Sequence, residues 1–175
     1  LAAKAGVRPS MEDPIAYYKA NVTALVNLLE FARIHGIKNF VFASSSSVYG
    51  ENTSTPFQES DLTIKPISPY ASTKLSGEGI GYVYSEQFDV SFTALRFFTV
   101  YGPGQRPDLA IHKFLHKIEN EETITLYGDG TTIRDYTYIA DIVQGVVNAL
   151  EKQNWKYEII NIGRGQPIIL SEMVK

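Results

Sequence analysis

The chain has 175 residues, of which 44% are hydrophobic and 20% charged, a composition that is ordinary for a globular domain. The net charge of −3 argues against a general nucleic-acid surface, and no apolar run approaches the roughly 18 residues of a membrane span. The absence of cysteine excludes disulfides, thiolate zinc sites and cysteine nucleophiles, and it is compatible with the cytoplasmic location that we expect.

The first hundred residues predict two helices and two buried strands. Residues 14–35 have the apolar spacing of a long amphipathic helix, which Gly36 ends. Residues 37–45, "IKNFVFASS", predict a strand that is apolar on both faces, as in parallel sheets. A polar loop follows, then a helix over 69–88 and a second buried strand, "VSFTALRFF", at 90–98.

The remaining residues continue the alternation of helices and strands. The predicted elements are a Gly/Pro loop at 100–108, helices at 108–120 and 140–152, and strands at 123–130, 133–139 and 157–163. This alternation indicates an α/β fold, a doubly wound parallel-sheet (Rossmann-like) domain with a smaller substrate-binding lobe. The predicted division assigns 1–98 and 139–163 to the first domain, and 99–138 and 164–175 to the lobe.

Both ends of the chain indicate a partial sequence. The chain opens, without an initiator Met, on "LAA", which resembles the end of a buried strand. It stops at "LSEMVK", where Ser171 resembles the cap of a helix that has scarcely begun. We therefore expect a domain that is truncated at its N-terminus.

The segment "SPYASTK", at 68–74, places a tyrosine and a lysine on one helix face. Pro69 suits the first helical position and Ser68 is a good cap, so Tyr70 and Lys74 lie one turn apart. A phenol near a helix N-terminus and beside an ammonium has its anion stabilised twice. We interpret Tyr70 as a tyrosine prepared to take a proton near neutral pH, although the pair alone also occurs by chance.

Polar stretches follow the predicted strands at the sheet edge where α/β proteins bind ligands. "ASSSSVYG" follows the strand 37–45, "FFTVYGPGQRP" follows the strand 90–98, and "LAAKAG" follows the presumed truncated strand. The four serines, Ser44 to Ser47, could contact a ligand or could be ordinary loop residues.

Several ordered motifs together resemble one family. "LAA", Asn21, "SSSSVYG", "SPYASTK", "LRFFTVYGP" and "RDYTYIAD" resemble the extended short-chain dehydrogenase/reductase family, and most of all its NAD-dependent nucleotide-sugar epimerases and dehydratases. The resemblance covers essentially all 175 residues. The family's Gly-x-x-Gly-x-x-Gly turn is absent here, and in the family it lies before the present first residue.

The resemblance implies oxidation at C4 of a nucleotide sugar, with the hydride passing to tightly held NAD. Tyr70 would remove the hydroxyl proton, with its pKa lowered by Lys74 and by the positive nicotinamide. Lys74 would also hold the nicotinamide ribose, and Ser45 would share a hydrogen bond with the reacting oxygen. In an epimerase the 4-keto sugar turns over and takes the hydride back on its other face. The implied cofactor-binding residues are Ala2, Ala3, Asn21, Ser44, Tyr70, Lys74, Phe97 and Val100.

Two local differences favour an epimerase for UDP-glucuronate. The family's 4,6-dehydratases carry Asp-Glu directly after the catalytic Ser/Thr, where this chain has Ser46 and Ser47, which cannot serve as acid and base. Thr99 stands where neutral-sugar epimerases typically have Asn, and with Arg106 it resembles the UDP-glucuronate 4-epimerases, whose Thr and Arg meet the sugar carboxylate. Arg106 could instead be a solvated loop arginine.

The segment "LYGDGTTIRDYTYIAD" resembles the part of the family that carries the nucleotide diphosphate. Arg134 would pair with the phosphates, or could instead bridge to Asp129 or Asp135, and Tyr127 would lie near the uridine. Asp141 is more simply explained as a negative charge at the start of its helix than as a catalytic acid. The implied substrate-binding residues are Ser45, Ser46, Tyr70, Thr99, Arg106, Tyr127, Arg134 and Arg8.

Other functions and partners stay open. The alternatives are a UDP-glucose 4-epimerase, a dehydratase or decarboxylase of the same family, or a non-catalytic dinucleotide-binding protein. The resemblance also implies a homodimer through a bundle of the 14–35 and Tyr70 helices.

Two further patterns receive structural explanations. Asp108, His112 and His116 lie at four-residue steps, but the Glu of the zinc-protease motif is missing, so we expect no metal. Gly77 and Gly81 share the Tyr70 helix face, which predicts close packing.

Overall fold

The computed structural model describes residues 3–52, 55–61, 64–126, 128–152 and 155–174. Contacts divide the chain into two compact units, Leu1–Phe97 with Val146–Asn161, and Phe98–Gly145 with Ile162–Lys175. The predicted assignment of these parts to a cofactor domain and a substrate lobe stays a prediction. No helix in the described ranges is long and apolar enough to cross a membrane.

Helices and strands alternate along the described residues. In chain order they are α1 (Val7–Glu12), α2 (Pro14–Tyr18), α3 (Ala24–Ile34), β1 (Asn39–Ser45), α4 (Pro69–Gln87), β2 (Ser91–Phe97), β3 (Thr99–Tyr101), α5 (Ala110–Glu119), β4 (Ile133–Arg134), β5 (Tyr136–Tyr138), α6 (Ile139–Glu151), β6 (Tyr157–Ile162), β7 (Ile168–Ile169) and α7 (Leu170–Met173).

The first unit is built on a three-stranded sheet in the order β1–β2–β6. β1 and β2 are parallel, in a register that runs from Asn39 opposite Ser91 to Ser45 opposite Phe97. This arrangement confirms the predicted α/β class. It also brings the carboxyl ends of β1 and β2 to the same sheet edge, as the sequence predicted.

The core packs α3 and α4 against this sheet. Leu29 and Phe92 are fully buried in it, and burial of each such side chain contributes about 1.5–3 kcal/mol. A Cβ atom at Gly77 would overlap the ring of Phe42, and one at Gly81 would overlap the ring of Phe92. The predicted close packing of the glycine face is therefore confirmed.

The predicted helix 14–35 is interrupted by a wider turn. α2 and α3 are joined by a π-helical turn, Lys19–Thr23, and α3 ends at Ile34. Asp13 caps α2, since its carboxylate accepts the Ala16 N–H at 3.2 Å. Sequence reasoning missed α1, because its six residues show too little periodicity.

The second unit contains two small strand pairs. β3 pairs in parallel with β5, and β4 pairs antiparallel with β7. The predicted loop at 100–108 therefore begins inside a strand.

The predicted strand at 123–130 is wrong for its described residues, 123–126 and 128–130, none of which is in a strand. Gly128 and Gly130 have positive φ angles of 83° and 78°. The Asp129 carboxylate accepts the Thr131 N–H at 3.0 Å. These features make a turn in place of a strand.

Candidate active site

The N-terminus of α4 presents Tyr70 and Lys74 on one face, as predicted. Pro69 is the first residue of α4, and the Ser68 hydroxyl accepts the Ala71 N–H at 3.1 Å. The Lys74 Nζ atom lies 5.7 Å from the ring centroid of Tyr70. The ammonium is thus close enough to stabilise a phenolate by its charge.

α1 and α2 hold the start of α4 in place. The Tyr70 backbone N–H donates to Ser10 Oγ at 3.1 Å, and the Ser10 hydroxyl donates to Val7 O at 2.6 Å. The ring of Tyr17 meets the ring of Tyr70 edge-on, with centroids 6.4 Å apart. Sequence reasoning missed both Ser10 and Tyr17, which are buried side chains of a helix pair without a motif.

Lys74 is a buried cation. Its side chain is 4% exposed, and its Nζ atom donates to Ala43 O at 2.8 Å and lies 5.0 Å from the ring centroid of Phe42. Burial lowers the pKa of Lys74 from 10.5 to about 8. An ammonium has three donors, and within the described part of the chain Lys74 has one hydrogen-bond acceptor, so donors remain for a ligand.

The serines after β1 occupy different environments. Ser45 caps a 3₁₀ turn, Ser46–Tyr49, because its Oγ accepts the Ser47 N–H at 3.2 Å and also donates to Ser47 Oγ at 3.1 Å. Ser44 is buried, and its hydroxyl donates to Glu78. Ser46 is half-buried. The opposing strand end, Phe97, is half-buried beside Ser45.

A cavity of about 270 Å³ lies beside Lys74 in the first unit. Its lining is mostly apolar and consists of Ala3, Ala20, Asn21, Leu25, Leu28, Phe40, Val41, Phe42, Ala43 and Lys74. Lys74 is the one ionisable side chain in that lining. Ala2 was predicted to bind the cofactor here, and it lies outside the described residues.

Asn21, in the π turn, holds the segment that precedes α1. Its Oδ1 accepts the Lys4 N–H at 2.8 Å, and its Nδ2 donates to Lys4 O and to Thr73 Oγ1, both at 3.0 Å. Both amide hydrogens are therefore used within the protein. Asn21 shapes the cavity by fixing this segment against α4.

The predicted carboxylate-binding residues lie in the second unit. Thr99 begins β3, is half-buried, and donates its N–H to Asp135 O at 3.0 Å. Arg106 is exposed, and its Nη2 lies 3.1 Å from Asp108 Oδ2. The carbonyl of Val100 accepts from Gln105 Nε2 at 3.0 Å.

Arg134 is exposed on β4, and its Nη1 donates to its neighbour Ile133 O at 2.9 Å. Among the described residues it makes no ion pair within 4 Å with Asp129 or Asp135. The Asp135 carboxylate instead accepts two backbone N–H groups of the loop after β6, at 2.9 and 2.7 Å. Tyr127 lies outside the described residues, and Arg8 is exposed on α1.

The other sequence candidates make no site in the described residues. No group of three or more His, Cys, Asp or Glu side chains there could hold a metal ion. Asp141 lies in the first turn of α6, where its charge is favourable.

Sequence reasoning also missed a buried pair, Glu78 with Arg96. An arginine inside the apolar run "FTALRFF" was the available signal, because a buried guanidinium needs a partner.

Comparisons with known proteins identify the family of the chain. The family model described as "NAD dependent epimerase/dehydratase family" matches residues 1–163. A UDP-glucuronate 4-epimerase of Thermodesulfobacterium geofontis is 43% identical over 100% of this chain and 54% of that protein.

Solved structures are similar over nearly the whole chain. UDP-glucuronic acid 4-epimerase from Bacillus cereus, in complex with UDP-glucuronic acid and NAD, has a TM-score of 0.90 and 42% identity over 99% of this chain and 55% of that one. UDP-N-acetylglucosamine 4-epimerase from Methanobrevibacter ruminantium M1, in complex with UDP-N-acetylmuramic acid, has a TM-score of 0.95 and 34% identity over 99% and 56%. The chain spans a little over half the length of these proteins.

Proposed function

Because this chain belongs to the NAD dependent epimerase/dehydratase family, we propose that the full-length protein epimerises C4 of a UDP-sugar. The favoured reaction is UDP-glucuronate to UDP-galacturonate, through a 4-keto sugar. The observation that carries the proposal is the Tyr70–Lys74 pair, with a buried ammonium 5.7 Å from the phenol ring. This pair provides a base whose ionised form is stabilised in place.

Three side chains act in this mechanism. The Tyr70 phenolate takes the proton of the C4 hydroxyl, and Ser45 shares a hydrogen bond with the same oxygen. The Lys74 charge stabilises the phenolate before the proton moves. Bound NAD would supply the acceptor for the C4 hydride and the donor for its return. After the keto sugar turns over, Tyr70 gives its proton back to the oxygen, so acid and base are the same group.

The side chain of Lys74 fits the nicotinamide end of NAD. Its spare donors suit the ribose hydroxyls there. Lys74, Tyr70 and Ala3 would contact this end of the cofactor. Asn21 would act by fixing the segment that Ala3 begins.

Two features support the uronate as substrate. Relatives named UDP-glucuronate 4-epimerases match the chain, and the Thr99 and Arg106 positions resemble theirs. The side chains of Arg106 and Asp108 are 44% and 57% exposed, and a pair exposed in this way is worth only about 0–1 kcal/mol. Asp108 is therefore a weak competitor for a substrate carboxylate at Arg106.

A homodimer is part of the same proposal. Three apolar side chains of α2 and α3 are more than half exposed, namely Ile15, Phe31 and Ile34. Val83 on α4 is 49% exposed. Pairing of these helices with a second copy would cover them. Sedimentation of the full-length protein tests this point, and a monomer would contradict it.

The decisive experiment uses the full-length protein with UDP-glucuronate and no added NAD, and follows UDP-galacturonate by NMR. Product formation that Tyr70→Phe abolishes supports the bound cofactor, the base and the substrate together. Turnover of UDP-glucose alone would keep Tyr70 as the base and refute the uronate. Release of carbon dioxide would indicate a decarboxylase, and no turnover of either sugar would refute the epimerase.

A further inference from the structure

Three buried polar side chains connect α4 to the ends of β1 and β2. Glu78 lies on α4 one turn after Lys74 and is 3% exposed. Arg96, near the end of β2, donates from Nε to Glu78 Oε1 at 3.0 Å and from Nη2 to Glu78 Oε2 at 2.8 Å. Ser44, directly before Ser45 on β1, donates its hydroxyl to the same carboxylate. One carboxylate on α4 is thus bonded to both strands.

Stability alone does not explain this network. Burial acts to lower the pKa of Arg96, but its hydrogen bonds to Glu78 and its contact with the ring of Tyr49 outweigh burial and raise that pKa above its ordinary value. Arg96 is 2% exposed, and its Nη1 atom is buried without a hydrogen-bond partner in the described ranges. Apolar side chains of similar volume often stabilise such a site as well as a desolvated ion pair does. Unlike apolar side chains, the ion pair makes hydrogen bonds of fixed direction between helix and strand.

The close glycine packing of α4 holds the helix against the sheet, but the hydrophobic effect itself is non-directional. Two polar contacts one turn apart add a directed constraint on the height of the helix along the strands. The Lys74 ammonium is bonded to Ala43 O, and the Glu78 carboxylate is bonded to Ser44, the next residue of β1. The bidentate bonds from Arg96 fix the same carboxylate against β2. Together they set both the height and the rotation of the helix.

We propose that Glu78 and Arg96 are positioning residues, which hold α4 where the Tyr70 phenol and the Ser45 hydroxyl meet the same C4 oxygen. This inference rests on the proposed epimerase function. The required accuracy is high, since a displacement of about 1 Å can lower the rate about 100-fold. The pair thereby affects catalysis without touching the substrate.

The test replaces both members together, as Glu78→Met with Arg96→Met, in the full-length protein. This change leaves no unpaired buried ion. We expect a folded, NAD-containing protein with an unchanged KM for UDP-glucuronate and a kcat that is lower by about tenfold or more. A variant that is folded and has wild-type kcat would overturn the proposal.

The matched control is Ser85→Ala. Ser85 is 2% exposed on α4, like Glu78, but its hydroxyl donates within the helix to Tyr82 O at 2.9 Å. Its kcat should stay within about twofold of wild type, because no bond between helix and sheet is lost. A control that falls as far as the double variant would also overturn the proposal.

A second variant covers failure of the double variant to fold. Ser44→Ala removes one hydroxyl and leaves the ion pair, so we expect a kcat per bound NAD that is about threefold lower. An unchanged kcat would then refute the positioning role.

A wild-type protein that converts neither UDP-glucuronate nor UDP-glucose refutes the proposed function instead. The positioning role is then read from crystal structures of the wild type and the double variant. The distance from the Tyr70 hydroxyl to the Ser45 hydroxyl should change by about 1 Å or more in the double variant, and an unchanged distance would overturn the role.

Discussion

Replacing Lys74 by methionine should make the folded protein more stable near neutral pH while it abolishes the proposed activity. Burial lowers the pKa of Lys74 from 10.5 to about 8. Each pKa unit corresponds to about 1.4 kcal/mol, so folding disfavours the charged lysine by about 3 kcal/mol. The side chain is 4% exposed, so solvent screens this penalty little. Methionine carries no charge and does not incur it.

The sign of the pH dependence follows from proton binding. Between about pH 8 and 10.5 the unfolded chain holds a proton on this lysine that the folded protein has lost. The stability of the wild type therefore rises with pH through this window, relative to Lys74→Met. The advantage of the variant is full below about pH 8 and is lost as the pH approaches 10.5.

Urea unfolding of both proteins at several pH values measures the difference. The lost hydrogen bond to Ala43 O costs the variant about 1 kcal/mol at every pH, so the change with pH is the diagnostic quantity. Lys113→Met, which removes an exposed lysine from α5, controls for the loss of one positive charge. A stability difference that stays constant with pH would refute the claim that Lys74 is buried as a cation.

Further predictions concern packing, specificity and the loop after β6. Gly81→Ala should destabilise the protein by about 1–3 kcal/mol in thermal melts, because its Cβ would overlap the ring of Phe92. The control is Gly79→Ala on the same helix, whose Cβ would meet nothing within 4 Å and which should be neutral or stabilising. Arg106→Lys should raise KM for UDP-glucuronate by about tenfold and leave UDP-glucose kinetics unchanged, since lysine cannot form the bidentate fork; equal effects on both sugars would contradict this. Asp135→Ala should cost about 1–3 kcal/mol and expose the loop after β6 to limited proteolysis, because two backbone N–H groups lose their acceptor; an unaltered cleavage pattern would count against it.

The sequence predicted the main sheet and the start of α4 because their signals are local. Apolar runs identify β1 and β2, and the Ser68–Pro69 cap identifies where α4 begins. Family membership was predictable as well, since ordered motifs are more specific than any single pair. The Tyr70–Lys74 face then follows from helix geometry alone.

The interactions that hold this face depend on tertiary contacts and carry weaker signals. Ser10 bonds to the backbone of Tyr70, 60 residues away, and the Glu78–Arg96 pair joins a helix to a strand. Sequence spacing cannot identify the residues that pair in these two interactions, because each of the residues alone is compatible with several environments. The failed strand at 123–130 has a local cause, because Gly128 and Gly130, which lie inside the predicted strand, form a turn.

The π turn explains how buried residues that are spaced by four can all lie on one side of a helix. The buried residues Tyr17, Asn21, Leu25 and Leu29 are spaced by four throughout. In an unbroken α-helix each such step advances by about 400°, so three steps would drift by about 120° and turn Tyr17 away from the core. The wider turn at Lys19–Thr23 cancels much of this drift.

The π turn is equivalent to one extra residue inserted in the helix, and it returns the buried residues to one face. Deleting Val22 alone would leave a plausible regular helix and remove the correction. Everything before the deletion would then rotate by about 100° relative to α3. Tyr17 and the segment held by Asn21 would leave the candidate site together, although no residue of that site had been changed.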